Sequence, residues 1–262
     1  MTKQNDKITK MTSGGAILSQ IMEEALDFAQ AGVSTLQIEY FVREKMAKFK
    51  VEPSFTKVRS YQYYICACVN DVVVHGIPTD YQLQFGDILG LDIGVFKDGY
   101  HTDMSWSKLI SKPDENNTKY QEKNLFLQIG QKALLKALET VGVGKRVGHI
   151  SRAIQTTIEA GKYAVVKELV GHAVGKTLHE YPQIPGVLSK KIEETEELKI
   201  GMTLAIEVIY TMGESDIVYK NDDGWTIATK DYSLAGLFEV TVAITKDGPL
   251  VLTPFARLLN QQ

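Results

Sequence analysis

Apolar residues recur at helical spacing near the start of the chain. Ile17, Leu18, Ile21, Ala25, Phe28 and Ala29 fall on one face, which predicts a helix from about Ser13 that stops at Gly32. Residues 1–12 lack this pattern and are expected to form a flexible leader, with 13–262 as one domain. Ser34 and Gln37 have capping-box spacing and open a second helix through Phe49, with Leu36, Tyr40, Phe41 and Met46 as its apolar positions. Pro53 breaks the pattern. The stretch Tyr61–Val74 is then β-prone and ends at His75-Gly76-Ile77-Pro78.

From Ile88 to Phe96 apolar residues alternate, and Asp98-Gly99 interrupts them. Asp-Gly between β-prone runs predicts a hairpin, because a type I′ turn needs φ > 0 at both central residues. A loop at Asp98-Gly99 pairs Lys97 with Tyr100, sets Asp92 opposite Ser105, and sets Asp103 opposite Gly94. Asp92 and Asp103 are then diagonal neighbours on one face, about 7–8 Å apart at Cα. Strand interiors are depleted in Asp. Two on one face read either as the wet side of an antiparallel sheet or as ligands for a hard divalent cation.

The second half echoes the first. After the polar stretch 111–119, Phe126, Ile129, Ala133, Leu134 and Leu138 predict a helix. A turn at Gly142–Gly144 follows, then a second helix from about His149 to Lys167. The spacing of Leu18, Ile21, Ala25 and Leu26 returns in Phe126, Ile129, Ala133 and Leu134, and Gly86…Asp92 returns in Gly201…Glu207. His75…Pro78…Asp92 runs parallel to His179…Pro185…Glu207. Repetition at this scale predicts two similar α+β halves facing one another. His172 sits between two glycines in VGHAVG, and Lys190–Lys199 reads as a solvated connection. Glu207 and Glu239 lie inside apolar strand-forming runs, where a carboxylate is costly unless a cation compensates it.

Composition narrows the partners. A net charge of −3 gives no electrostatic case for nucleic acid or an anionic membrane. The apolar runs are too short to span a bilayer, and the polar start lacks the apolar centre of a signal peptide, so a cytoplasmic location is expected. Cys66 and Cys68 make a lone C-x-C, which is no metal framework, and no disulfide is expected between them. Asp92, Asp103, His172, Glu207 and Glu239 are too oxygen-rich for one structural zinc. They suit two divalent ions sharing bridging carboxylates, and hence metal-assisted hydrolysis.

The run Val69–Ser105, together with VGHAVGKTLHEYPQIP, Glu207 and DDGWTIATKDYSLAGLFE, resembles the methionine aminopeptidases of type I. That resemblance implies the pseudo-two-fold "pita-bread" fold and removal of an N-terminal methionine from nascent proteins and peptides. It implies two divalent metal ions (Co, Mn, Fe or Zn) held by Asp92, Asp103, His172, Glu207 and Glu239, with Glu207 as general base. It also implies catalytic roles for His75 and His179, and a substrate pocket drawing on Tyr61, Cys66, His75, Leu178, His179 and Trp225, with Tyr63 and Tyr64 open as substitutes for Tyr61. The implied partner is a peptide or nascent-chain N-terminus, met at the ribosome, and the implied state is a monomer with no direct nucleic-acid or membrane contact. The chain departs from the family at Gly94 and Ala205, where a hydroxyl residue is usual, and at Val208, where proline is. It departs again at Leu237 and Val240, where Gln and His are usual, and all five are expected to surround the metal ligands. An Xaa-Pro aminopeptidase or prolidase-like peptidase, or a weakly active binding module on this fold, is the alternative.

Overall fold

The computed structural model describes residues 3–112 and 117–259. Each half opens with a helix pair and builds strands beneath it. In the first half, α1 (Lys3–Phe28) and α2 (Thr35–Phe49) precede β1 (Glu52–Pro53), β2 (Ile65–Val69), β3 (Val72–Val74), β4 (Ile88–Lys97) and β5 (Tyr100–Leu109). In the second half, α3 (Thr118–Glu139) and α4 (Val147–Ala160) precede β6 (Ala164–Val165), β7 (Val170–Ala173) and β8 (Glu180–Pro185). Then come β9 (Thr203–Thr211), β10 (Ile217–Tyr219), β11 (Ile227–Thr229), β12 (Ala235–Thr245), β13 (Gly248–Val251) and a short α5 (Ala256–Leu259).

The strands form a ten-stranded sheet along the path β1-β4-β5-β12-β9-β7-β8, and a small sheet β10-β11-β3. Helices α1 and α3 lie over β4–β5 and β9–β12 respectively. Their apolar faces bury Leu18, Ile21, Leu26, Phe126, Ala133 and Leu134 in one core with the strands. The other face of the large sheet is left for the site.

The β4–β5 hairpin has the register expected from Asp98-Gly99, with Lys97 opposite Tyr100, Asp92 opposite Ser105 and Gly94 opposite Asp103. Both turn residues have positive φ, at 50° and 85°. The Ser34–Gln37 capping box is also present, with Ser34 Oγ accepting from Gln37 N–H and Gln37 Oε1 accepting from Ser34 N–H.

Two boundaries differ from expectation. The expected leader at 1–12 is helical from Lys3 onward, with residues 1 and 2 outside the described residues. Met11 is buried there against Val174, Ala205, Ala243 and Leu252. Gly14 and Gly15, poor helix formers, sit mid-helix because a Cβ at Gly15 would lie 2.0 Å from the Leu252 carbonyl oxygen. The helix expected to reach Lys167 ends instead at Ala160. Gly161 caps it and Lys162 turns left-handed at φ 64°, so the chain re-enters the sheet as β6.

Candidate metal centre

The acidic groups stand in a line across the junction of the halves. Asp92 on β4 faces Ser105 on β5, Ser105 faces Glu239 on β12, and Glu239 faces Glu207 on β9. Directly opposed residues share a face, so three carboxylates and one hydroxyl form a single row. Asp103, two residues before Ser105, and His172 on β7, opposite Ala205 of β9, complete the group. Asp103, His172 and Glu239 offer ligand atoms within 4.8 Å of one another. All five side chains line one cavity of about 290 Å³.

No lysine or arginine lines this cavity among the described residues. Burial therefore raises the carboxyls with no cation to oppose it, their mutual repulsion adds to it, and the backbone N–H groups beside Asp92 and Asp103 offset it only in part. Asp103 is pushed up to about 7 by burial, and Glu207 to about 8 by burial and then by Asp103. Burial followed by the neighbouring carboxylates lifts Asp92 and Glu239 well above the usual range. Oδ1 of Asp92, Oε1 of Glu239 and Oγ of Ser105 are buried without a hydrogen-bond partner among the described residues. Orphaned buried oxygens on Asp92 and Glu239, beside the carboxylates of Asp103 and Glu207 and the imidazole nitrogen of His172, are the donor set that divalent cations take.

The imidazoles are prepared for different work. His172 Nδ1 lies 3.0 Å from the Ala173 carbonyl oxygen. A carbonyl only accepts, so Nδ1 carries the proton and Nε2 is left with its lone pair. Burial lowers the His172 pKa to about 4 and also lowers His179 and His75. The rings of His172 and His179 meet edge to face at 4.5 Å. His75 follows β3 with φ 55°, a conformation a non-glycine residue adopts only when its surroundings impose it. Gly76 beside it passes close to the Ala67 carbonyl, where a Cβ would lie 2.4 Å away.

An apolar slot opens beside the carboxylates. Phe55, Val58, Tyr61, Cys66, Leu178 and Trp225 line it, and the Tyr61 ring meets Trp225 edge-on at 5.0 Å. Of the three tyrosines, Tyr61 lines the cavity, Tyr63 meets the Tyr61 ring edge-on at 5.9 Å, and Tyr64 lies under the Arg43 guanidinium at 4.5 Å. Phe55 and Val58 carry no periodic signal and were not legible in the sequence. Cys66 and Cys68 share a face and are free, buried thiols whose pKa values burial raises.

A profile for Metallopeptidase family M24 matches residues 9–246. The chain belongs to metallopeptidase family M24. It is 36% identical to methionine aminopeptidase 1 of Bacillus subtilis over 93% of this chain and 94% of that protein. It is 35% identical to the methionine aminopeptidase of Escherichia coli strain K12, over 96% of this chain and 92% of that protein. The crystal structure of methionine aminopeptidase from Thermotoga maritima superposes with a TM-score of 0.88 at 32% identity, covering 95% of this chain and 96% of that one. Prolidase from Pyrococcus furiosus, at 20% identity and a TM-score of 0.73, shares the fold and covers 96% of this chain and 65% of that one. The pita-bread fold expected from the sequence is the fold observed.

Within this M24 chain the five departures separate by face. Gly94, Ala205 and Leu237 are two residues from Asp92, Glu207 and Glu239 respectively, on the same face of the sheet. Val208 and Val240 are one residue away and pack into the core beneath the helices, so they do not surround the carboxylates as expected. At Gly94 the space is already taken, since a Cβ there would lie 2.6 Å from Cβ of Ser54. Ser54 in turn is fixed by His101 Nδ1 at 2.9 Å and by the Gly94 carbonyl, which accepts from Ser54 N–H at 2.9 Å.

Proposed function

We propose that this protein is a metal-dependent aminopeptidase that removes the N-terminal methionine from peptides and nascent proteins. The observation that carries the reading is the row of carboxylates, with orphaned buried oxygens and no cation beside them, next to an apolar slot. Asp92, Asp103, His172, Glu207 and Glu239 would hold two divalent ions. Ions bound there supply an activated water and positive charge opposite a developing oxyanion. Mn, Fe, Co and Zn all suit the donor set.

The chain's own groups supply the rest. Glu207, half-buried at the end of the row, takes the proton of the attacking water and returns it to the departing amine. His179 and His75, kept neutral by burial, donate hydrogen bonds to the carbonyl oxygen and the scissile amide. The apolar slot orients the methionine side chain, and the free amine lies toward Asp92, which restricts cleavage to the first peptide bond. A small second residue is expected. Nascent chains place the activity in the cytoplasm near the ribosome, and no helix among the described residues is long and apolar enough to cross a membrane.

Methionine release from Met-Ala-Ser by metal-stripped protein reloaded with Mn²⁺, Co²⁺, Fe²⁺ or Zn²⁺ tests the reading, with Ala-Pro-Ser beside it. Metal-dependent release of Met with no cleavage before Pro is expected. Cleavage before Pro moves the activity to the prolidase-like enzymes. Metal binding without cleavage of either peptide leaves a binding module.

A further inference from the structure

The two halves meet through a short ladder. Strands β5 and β12 are ten and eleven residues long, yet they pair directly only at Trp106–Phe238 and Ser105–Glu239. On either side the strands diverge, and a hydroxyl spans each gap. On one side Thr241 Oγ1 donates to the Asp103 carbonyl at 2.8 Å and accepts from Asp103 N–H at 2.9 Å. On the other, Ser107 Oγ donates to the Leu237 carbonyl and accepts from Leu237 N–H, both at 2.9 Å. The same sequence interval separates Ser107 from Thr241 and Asp103 from Leu237, so the two staples are related by the approximate two-fold of the fold. Only one of them holds a ligand.

We infer that Thr241 is the positioning residue that sets Asp103 for the metal centre, through its hydroxyl and not through its bulk. This rests on the metal-binding reading above. A hydroxyl has one donor and two acceptor sites, so one group satisfies both the N–H and the C=O of Asp103 where the neighbouring strand is out of reach. Thr241 is itself an anchored post. It is fully buried, its N–H donates to Thr253 Oγ1 at 3.0 Å, and its carbonyl accepts from Leu252 N–H at 2.8 Å. At its other end Asp103 is tied down by Met104 N–H, which donates to Oδ1 at 3.2 Å, leaving Oδ2 for the cavity. Thr241 therefore fixes the backbone from which the shared carboxylate projects, without touching the ions.

The symmetric staple supplies the control. Thr241→Val keeps the shape and removes the hydroxyl; Ser107→Ala removes the same kind of staple from Leu237, which is no ligand. Calorimetric titration of the metal-stripped proteins with Mn²⁺ is expected to show affinity about 10–100-fold weaker in T241V, the range for a group supporting a ligand. T241S should restore the parental affinity. Thr241→Cys, with a weakly bonding thiol, should fall between. S107A should lower the melting temperature yet bind Mn²⁺ within about twofold of the parent, well inside that range. If T241V does not fold, T241C and T241S decide the matter in the same titration. Parental affinity in T241V or T241C overturns the inference, and so does an equal loss in S107A. A parent that takes up no Mn²⁺ overturns the metal-binding reading itself and this inference with it.

Discussion

The halves share a scaffold and differ in what they place on it. The interval from Cys68 to His75 equals that from His172 to His179, and Cys68 pairs with Gly90 as His172 pairs with Ala205. Gly90 and Ala205 are themselves equivalent in the Gly86…Asp92 and Gly201…Glu207 echo. The approximate two-fold thus relates His75 to His179, Asp92 to Glu207 and Ser105 to Glu239, but it sets the buried thiol of Cys68 where the second half has the imidazole of His172. It likewise sets Leu237 where the first half has Asp103. A perfectly symmetric molecule would surround the junction with identical groups. The divergence instead draws two carboxylates from each half, at different rungs, and one imidazole from the second half only. Two ions held by these groups, as proposed, would sit in unlike surroundings.

Removing the group that most separates the halves in chemistry should give the largest effect. Glu207→Gln is isosteric and is expected to lower kcat on Met-Ala-Ser by about 10²–10⁴-fold, the range for loss of a general base, with the circular dichroism of the parent. Parental turnover would return Glu207 to the status of its symmetry mate Asp92, a ligand alone. Next comes the thiol–imidazole difference. His172→Ala should weaken Mn²⁺ binding by more than the roughly 100-fold upper range of a merely supporting partner. Cys68→Ala should leave it within about twofold, because that thiol lies outside the cavity. Equal losses in the two variants would make the halves functionally alike.

The smallest effect is one of pH. Asp103 and Glu207 hold protons in the folded, metal-free state up to about 7 and about 8, above the ordinary carboxylate values. Between the ordinary values and these the folded state binds more protons than the unfolded one, so stability falls as pH rises. The buried histidines, lowered from 6.5, push the other way at lower pH, so the melting temperature of the stripped protein should decline between about pH 7 and pH 8, where the carboxyls alone still titrate. Divalent ions should reverse the trend, since metal displaces those protons. A stripped protein that gains stability over that interval would show that the carboxylates are compensated by something other than metal.

Much of this was written in the sequence wherever local chemistry decides geometry. Asp98-Gly99 fixes its turn and, through it, the register of Asp92 and Asp103. Ser34 and Gln37 cap α2 by themselves. Periodic carboxylates in apolar strands announce a buried charge problem, and the echo between Gly86…Asp92 and Gly201…Glu207 announces the second half. Features set by distant segments were not legible. Gly14-Gly15 looks like a poor helix until Leu252, far along the chain, takes the room it leaves. Ser54 fills the space at Gly94 from an irregular stretch without period. Leu237 and Val240 look alike in sequence, yet strand alternation sends one toward the site and the other into the core. Nothing in the letters of Thr241 or Ser107 says that two strands part beside them.

The burial of Met11 among residues of the second half has a kinetic side. Its partners Val174, Ala205, Ala243 and Leu252 are made long after it, and the Trp106–Phe238 ladder likewise joins distant parts of the chain. Contacts of such wide separation are closed late, after the local helix pairs and hairpins. The first turns of α1 therefore wait, with their apolar side uncovered, until β12 and the strand after it arrive. Asp92 and Asp103 come from one half and Glu207 and Glu239 from the other, so a half-built molecule would have no complete site with which to cut.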